Sequence, residues 1–472
     1  MKKTTRISLL IVFTLAFLLT ALPALAASYG SLPGQEVRVL LSGYSNASSH
    51  SITIGSGTYS VASTANTGKT LATAASGTVV TFGKTGDGGY TCSVGGDSFS
   101  GSSAFIAIPA KDSDYFTFNG TDYRGCFKAM SYGQYFYPIN QVNVELYTYG
   151  VVGRELGYGL SDAATMAQAV ASRSYVLANY SSSHVYYDVT DTTASQVYGG
   201  KSAESAKIIQ AVDNTRGYVL KYNGSIIQTY YSSNMGGYSE NIENVWVSDA
   251  VPIKGVPSPY DAKAGDYSSY GASTYSWTVE FTPNQLVAMA NRYGGTDIGE
   301  FVSITSSDTL NGKTSVSGRA MQVTITGTKG SVTATKDNIR WLLDLKSMLI
   351  EISGGSGGSS SAGAYVKGKD GKDVAFSDLR NLYATSGNGA ALANGSNSSL
   401  YAIGAKGNLT ELSKTASNSS GGNIVIKGRG YGHGVGLSQF GTMGMGDAGY
   451  TWDQIIKHYF CTDTGIQLVK AY

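Results

Sequence analysis

From Glu36 to about residue 115 the chain is written in short runs such as SITIGSGTYSV and GTVVTFG, each closed by Gly, Ser or Thr. Runs this short do not complete a stable helix but suit strands joined by tight turns. EVRVLL at 36–41 reads as the first strand, and nothing in this stretch resembles a catalytic centre. The wider composition agrees: 61 Gly and 34 Tyr stand against only 8 Pro. Tyrosine favours strands, and its apolar ring with a hydroxyl also suits sugar rings. Composition alone does not separate these two uses.

From Tyr123 the texture changes. YRGCFKAM and QVNVELYTYGVVGREL carry longer apolar runs. Ser161 or Asp162 can cap a helix that runs to about Tyr180, with Met166, Val170 and Leu177 on one face and Ala167, Ala169 and Ala171 allowing close packing. A second helix fits 203–215, with Ile208 and Val212 inward and Gly217 as its stop. Asn223-Gly224 between YVLKY and SIIQTYYSS is a hairpin signal. Further elements are a strand in TYSWTVEFT, a helix near 283–292 and a strand in AMQVTIT. The expected class is α+β, a β-rich mixed core with a few helices.

GGSGGSSSAGA at 353–363 reads as a flexible linker, and SNSSGG at 417–422 closes the same excursion. The expected organisation is a β-rich region at 27–115, a core domain at 116–351 and 423–472, and a Gly/Ser-linked insertion at 352–422. Ahead of these, Lys2, Lys3 and Arg6 precede an apolar run from Leu9 to Leu22 and the small-x-small site Ala24-Leu25-Ala26. That order marks residues 1–26 as a secretory signal peptide, or an anchor if it is retained, and places the protein outside the cytoplasm or at the cell wall. Its removal leaves 31 Lys and Arg of the 34 against 32 Asp and Glu. A nearly neutral chain has no electrostatic footprint for nucleic acid. Three cysteines, Cys92, Cys126 and Cys461, allow at most one internal disulfide, so stability must come from the core.

Several segments could carry chemistry. Glu155 follows the apolar stretch VNVELYTYGVV. A carboxylate against such a surface is desolvated, its pKa rises, and it can serve as a general acid. GRGYGHGVGLSQFG alternates Gly with larger residues but fits neither the dinucleotide fingerprint nor a phosphate loop with its lysine. It reads as a tight backbone segment where only Gly fits, with His433 bonded to backbone or turned to substrate. None of the four histidines lies in a metal-binding pattern, and Gly436-Leu437-Ser438-Gln439-Phe440 misses the last glycine of a nucleophile elbow.

In order along the chain, VNVELYTYGVVGRE, AQAVASRSYVL, the Asp188–Gln196 stretch running into SQVYGG, YYSSNMGGYSENIENVW and GRGYGHGVGLSQFG resemble the stage II sporulation protein D family, which includes the amidase enhancer LytB. The resemblance runs from about Tyr123 to Phe460 around the insertion. It implies a lytic transglycosylase that cleaves the β-1,4 bond between N-acetylmuramic acid and N-acetylglucosamine in peptidoglycan. The acid it implies is the Glu ending Gly150-Val151-Val152-Gly153-Arg154-Glu155. One carboxyl would act twice, protonating the leaving oxygen and then taking the proton of the sugar's C6 hydroxyl. Around it the resemblance places Gln168, Arg173 and Tyr175, a cleft wall of Tyr231, Ser232, Ser233, Asn234, Gly236 and Gly237, and Tyr431, His433, Ser438 and Gln439. Arg173 on an apolar helix needs a partner, either a buried carboxylate or a sugar carbonyl. Glu240 and Glu243 are the alternative acids.

The sequence departs from the family pattern in two places. The acid and aromatic before G-V-V survive only loosely in Val144-Glu145-Leu146-Tyr147-Thr148-Tyr149. The zinc-binding loop of some members corresponds to SSSHVYYDVTDTT, which has His184 but no Cys, so neither zinc nor any other cofactor is expected. The expected partner is peptidoglycan, with a membrane only if the leader is kept. The alternative to an enzyme is a wall-binding protein that enhances a cell-wall amidase without cutting glycan itself.

Overall fold

The computed structural model describes residues 35–157, 161–179, 186–246, 251–354 and 422–472 apart from Ser45, with six short strands between 364 and 411. The expected leader and His184 lie outside the described residues. Twelve strands come first: β1 (Glu36–Leu40), β2 (Ser49–Ser56), β3 (Thr58–Ser63), β4 (Asn66–Ala75), β5 (Val79–Lys84), β6 (Tyr90–Val94), β7 (Asp97–Gly101), β8 (Phe105–Pro109), β9 (Tyr115–Phe118), β10 (Thr121–Arg124), β11 (Cys126–Tyr132) and β12 (Tyr135–Asn143). With β13 (Val189–Thr190) they form a seven-stranded sheet, β13-β1-β12-β11-β8-β3-β4, and a six-stranded sheet, β10-β9-β2-β5-β6-β7. Alternate residues point between the sheets, where Phe127 of the first meets Phe82 (5.1 Å between ring centroids), Phe118 (5.3 Å) and Phe116 (5.4 Å) of the second. The two inner faces make one core, as in a β-sandwich.

The boundary expected at residue 115 runs through this sandwich. β9, starting at Tyr115, pairs with β2, and β12 pairs with β1 over five residues. Short N-terminal strands with one apolar face each had to bury that face against something, and the strands after Tyr123 supply it. Cys92 and Cys126 are buried in different sheets and Cys461 is half-buried; no disulfide links them.

β12 leads directly into α1 (Val144–Leu156). Asn143 caps it, its Oδ1 accepting the Glu145 N–H at 2.9 Å. All ten residues from Val144 to Gly153 are buried, the polar Glu145 and Thr148 among them. The glycines of Gly150-Val151-Val152-Gly153 have a steric cause. A Cβ on Gly150 would lie 2.6 Å from the Tyr198 ring, and one on Gly153 would lie 1.9 Å from the Ala203 carbonyl oxygen. The segment 198–203 therefore crosses directly over this helix, and the Gly199 N–H donates to the Gly150 carbonyl (3.2 Å).

α2 (Asp162–Ala178) is capped by Ser161, and α3 (Ala206–Asn214) buries Ile208 and Val212, both as the sequence predicts. Between α1 and α2 lies a fully buried ion pair. Arg173 Nε and Nη2 donate to Glu145 Oε1 (2.9 Å) and Oε2 (2.7 Å), and both side chains are 0% exposed. Glu145 also accepts the Gly217 N–H (3.2 Å) and the Tyr472 hydroxyl (2.7 Å), while Arg173 donates to the carbonyls of Val212 and Tyr218 (each 3.2 Å). This answers the question that the sequence raised about Arg173: its partner is a buried carboxylate, and a ligand has no path to it.

β14 (Tyr218–Tyr222) and β15 (Ser225–Ile226) turn at Asn223 and Gly224, both with positive φ (51° and 82°), the backbone a type I′ hairpin requires. β16 (Tyr231–Ser232) runs parallel to Leu437–Ser438. Beyond it the strand Ile424–Arg429 lies between Ser276–Phe281 and Leu349–Gly354. Gly354 pairs with Ile424, so the insertion grows from the open end of a hairpin whose other end, at Arg429, leads into the glycine-rich run. The six strands inside it pair as three successive hairpins. Their sequence repeats every 18 residues, with Tyr365, Tyr383 and Tyr401 in the first strands and Gly371, Gly389 and Gly407 following.

Replacing Arg173 by Met leaves Glu145 buried and unpaired. The expected loss is about 3–5 kcal/mol in urea unfolding. An unchanged unfolding midpoint would show that Arg173 is not a structural tie.

Candidate active site

α1 ends at the protein surface, and Glu155 in its last turn is half-buried. Three donors converge on its carboxylate. The Val197 N–H reaches Oε1 at 3.0 Å, the Tyr231 hydroxyl reaches Oε1 at 3.3 Å, and Gln439 Nε2 reaches Oε2 at 3.2 Å. Each comes from a different element. Val197 arrives on the segment admitted by the α1 glycines, Tyr231 on β16, and Gln439 at the first turn of the helix Gln439–Asp447, which Ser438 caps. The pairing of Tyr231 with Leu437 and of Ser232 with Ser438 fixes the last two relative to each other.

Behind these donors stands a second row. Gln196 Nε2 donates to the Tyr231 hydroxyl (3.0 Å), and Gln196 Oε1 accepts from the Tyr147 hydroxyl (3.3 Å). Tyr147, Gln196 and Tyr231 thus form a chain of donors directed at Glu155. Tyr147 and the Val197 N–H are contributions that the sequence reading missed. Gln196 lay in a recognised stretch, SQVYGG, without a role; the closeness of Gln196 and Val197 to the glycines that cross α1 was the available signal.

Burial raises the Glu155 pKa above 4.5, while the bonds from Val197, Gln439 and Tyr231 and the charge of Arg154 oppose the rise; burial prevails. Oε1 accepts two hydrogen bonds and Oε2 one, so Oε2 has the freer lone pair for a proton.

Tyr230, next to Tyr231 in the chain, belongs to a partly exposed aromatic cluster. Tyr230 lies 4.6 Å from Trp246 and 6.2 Å from Tyr175, and Trp246 lies 4.8 Å from His433. Trp246 is another residue the sequence reading left without a role. His433 Nδ1 accepts the Val435 N–H (3.0 Å), and the Ser232 hydroxyl lies 3.3 Å from the same nitrogen. Desolvation pushes the imidazole pKa down to about 3, so His433 is neutral with its proton on Nε2. The backbone role foreseen for it is present. The loop around it depends on Gly430, Gly432, Gly434 and Gly436, all at φ between 76° and 122°. Such angles favour glycine.

The remaining predicted residues divide. Tyr431 and Ser233 are half-buried at the rim: Tyr431 exchanges backbone hydrogen bonds with Asn234, and the Ser233 carbonyl accepts the Phe440 N–H. Gly236 and Gly237 adopt positive φ in the loop after β16. Five predicted contacts are corrected. Ser232 is 4% exposed, its Oγ accepting the Gly434 N–H (3.1 Å). Arg173 is closed in its ion pair. Gln168 is fully buried, with Nε2 on the Ser172 hydroxyl (3.0 Å). Asn234 is buried, donating to the Asp261 carbonyl (3.2 Å) and accepting the Gly236 N–H (2.8 Å). Ser438 is buried, donating to Asp261 and accepting the Gly441 N–H. These polar side chains hold the loops that carry the site. The alternative acids are also placed elsewhere: Glu240 is 1% exposed among Ser315, Ser317, Asn244 and backbone N–H groups, and Glu243 pairs with Lys254 (2.8 Å).

The arrangement is a half-buried carboxyl with a raised pKa at a helix end, held by three donors from three elements. Residues 132–222, which include α1, α2 and Gln196, match the family model described as Stage II sporulation protein. The chain is 37% identical over 144 residues to an uncharacterized protein of Brachyspira hyodysenteriae, covering 30% of this chain and 39% of that one. It is 28% identical over 330 residues to the amidase enhancer of Bacillus subtilis, covering 66% of this chain and 39% of that protein. It is 25% identical over 349 residues to the stage II sporulation protein D of Bacillus subtilis, covering 71% and 76%. The chain thus spans about two-fifths of the length of the first two. Together these matches make the chain similar to stage II sporulation protein D and to the amidase enhancer.

Because the folded pKa of Glu155 is raised, its contribution to stability is complete below about pH 4.5 and is lost as pH rises through the folded value. Glu155→Gln removes that loss. Its stability relative to wild type should increase between pH 4 and pH 7 in urea unfolding. A pH-independent difference would contradict a desolvated carboxyl.

Proposed function

We propose that this protein is an exported lytic transglycosylase acting on peptidoglycan, with Glu155 as both acid and base. The observation that carries the reading is the carboxyl itself: half-buried, raised in pKa, and held by three donors from three elements. Its similarity to an amidase enhancer and to a stage II sporulation protein D supports a role at the cell wall.

Ordinary glycosidases use two carboxyl groups, one for the leaving oxygen and one for water or the anomeric carbon. The hydrogen bonds here converge on one. In the proposed reaction the proton on Glu155 passes to the bridging O4 as the bond from muramic acid C1 to O4 breaks. The departing N-acetylglucosamine carries that proton as its 4-hydroxyl. The Glu155 carboxylate then takes the proton of the muramic acid C6 hydroxyl while O6 bonds to C1. The product is a 1,6-anhydro ring, no water is consumed, and the carboxyl ends protonated. A group that works in both directions is helped by a pKa above the usual carboxylate range, and burial shifts Glu155 in that direction. The Tyr231 hydroxyl and the Val197 N–H stabilise the carboxylate between the two transfers.

Purified glycan strands incubated with the wild type should yield 1,6-anhydromuramic acid ends by mass spectrometry, and Glu155→Gln should lower the rate by about 10²-fold or more. Hydrolytic ends, or normal cutting by the variant, would refute the assignment. If neither protein cuts but both accelerate an amidase on intact wall, the enhancer reading replaces this one. Tyr231→Phe removes a bond that lowers the Glu155 pKa. The alkaline limb of the pH–rate profile should therefore move upward, whereas an unmoved limb at reduced rate would give Tyr231 a purely steric role.

A further inference from the structure

Away from Glu155, five tyrosines gather on one surface. Tyr132 and Tyr135 face each other across the turn between β11 and β12. Tyr135 and Tyr137, two residues apart and hence on one face of β12, stack with centroids 5.8 Å apart and planes 11° from parallel. Tyr132 stacks on Tyr137 at 5.7 Å and 27°. Tyr186 meets Tyr132 edge-on at 5.7 Å, and Tyr187 meets Tyr137 edge-on at 5.9 Å. Tyr132 is 54% exposed, and the other four are partly so.

The platform is fixed from behind. Phe136, on the opposite face of β12, is fully buried and stacks on His50 at 5.3 Å. Lys84 Nζ donates to the Gln134 carbonyl (2.7 Å), which pins the hairpin turn and sets a cation at the rim. The Tyr90 hydroxyl accepts the Ser131 N–H (3.3 Å). Tyr135 and Tyr137 lie on the face of the strand opposite to the buried Phe136.

Both chain segments that carry the tyrosines run into the candidate active site. β12 continues through Asn140, which accepts the Tyr198 hydroxyl (2.9 Å), to the Asn143 cap of α1. Tyr186 and Tyr187 precede β13 and the stretch that delivers Gln196 and Val197 to Glu155. The step from Tyr137 to Asn140 is about 10 Å of strand. The platform and the candidate site are therefore joined by two short stretches of the chain, β12 and the segment from Tyr186 to Val197.

We infer that Tyr132, Tyr135, Tyr137, Tyr186 and Tyr187 form a remote glycan-binding subsite that holds the N-acetylhexosamine rings of the same strand whose bond lies at Glu155. The inference rests on the glycan reading of Glu155. The exposed Tyr132 ring at the edge of the stack offers apolar surface to a pyranose ring, and the phenol hydroxyls supply polar partners for its rim. The lysine at the edge complements the carboxylates that muramic acid and its stem peptides carry. Burial, with neighbouring phenols, raises the pKa of Tyr137 and Tyr187, which keeps them neutral donors. A strand held at both places is bound by linked contacts, so affinity should grow with its length.

The test uses the full chain carrying Tyr132→Ser, Tyr135→Ser and Tyr137→Ser, with thermal unfolding as the check on folding. Co-sedimentation with long glycan strands stripped of stem peptides should fall roughly tenfold or more. Cutting of a tetrasaccharide should stay at the wild-type rate. Long-strand binding unchanged in the triple variant overturns the subsite. So does loss of amidase enhancement with glycan binding intact, which would make the surface a protein contact. A wild type that cuts nothing, yet binds long strands through the tyrosines, upholds the subsite and removes only the transglycosylase reading.

Discussion

The ion pair between Glu145 and Arg173 is the interaction on which the rest of the structure hangs. It ties the start of α1 to α2, and through its other hydrogen bonds it gathers the end of α3, the start of β14 and the C-terminal Tyr472. Two charges in a dry interior are tolerated only when the geometry is good and the remaining donors and acceptors are satisfied. Here both oxygens of Glu145 are engaged by Arg173, with a backbone N–H and a tyrosine hydroxyl added. The pair leaves α1 little freedom to slide or rotate. Its far end, about 15 Å along the axis, presents Glu155 at a defined height above the sheets.

The two glutamates of α1 show how one helix can treat the same side chain in opposite ways. Glu145 sits deep and meets a cation. Glu155 sits near the surface and meets only neutral donors, with Arg154 turned to solvent. Three neutral hydrogen bonds offset part of its desolvation but not all of it, and the residual imbalance raises the pKa. Elements far apart in sequence supply those donors: the segment after β13, β16 and the helix that Ser438 begins. Each is positioned by something other than the site, namely glycines that let backbone cross α1, a parallel strand pair and a serine cap.

Much of this was legible before the structure. Ser161 as a cap, the buried Ile208 and Val212, the Asn223-Gly224 turn and the glycine-only run around His433 all follow from local rules with a local cause. The residues that misled were polar ones in recognised motifs. Gln168, Asn234 and Ser438 occupy the same motifs as Tyr231 and Gln439, yet they brace loops from within. Sequence marks a motif as special without saying which of its side chains face outward, because that depends on partners such as Asp261 and Ser172 that no local pattern names. The boundary at 115 failed for a similar reason: pairing of β2 with β9 and of β1 with β12 is long-range. The 18-residue repeat in the insertion, by contrast, was present in the sequence as a spacing of Tyr365, Tyr383 and Tyr401 and needed only to be counted.

The proposed reaction requires the Glu155 carboxyl to lie against the bond that is broken. A crystal structure of Glu155→Gln with a bound oligosaccharide of alternating N-acetylglucosamine and N-acetylmuramic acid tests it most directly. The account predicts a bridging oxygen within hydrogen-bond distance of the residue 155 side chain, with the muramic acid C6 hydroxyl on the same side and Tyr231 and Gln439 still in contact with the amide. A glycan bound along another face, with residue 155 turned away from every glycosidic oxygen, would contradict it.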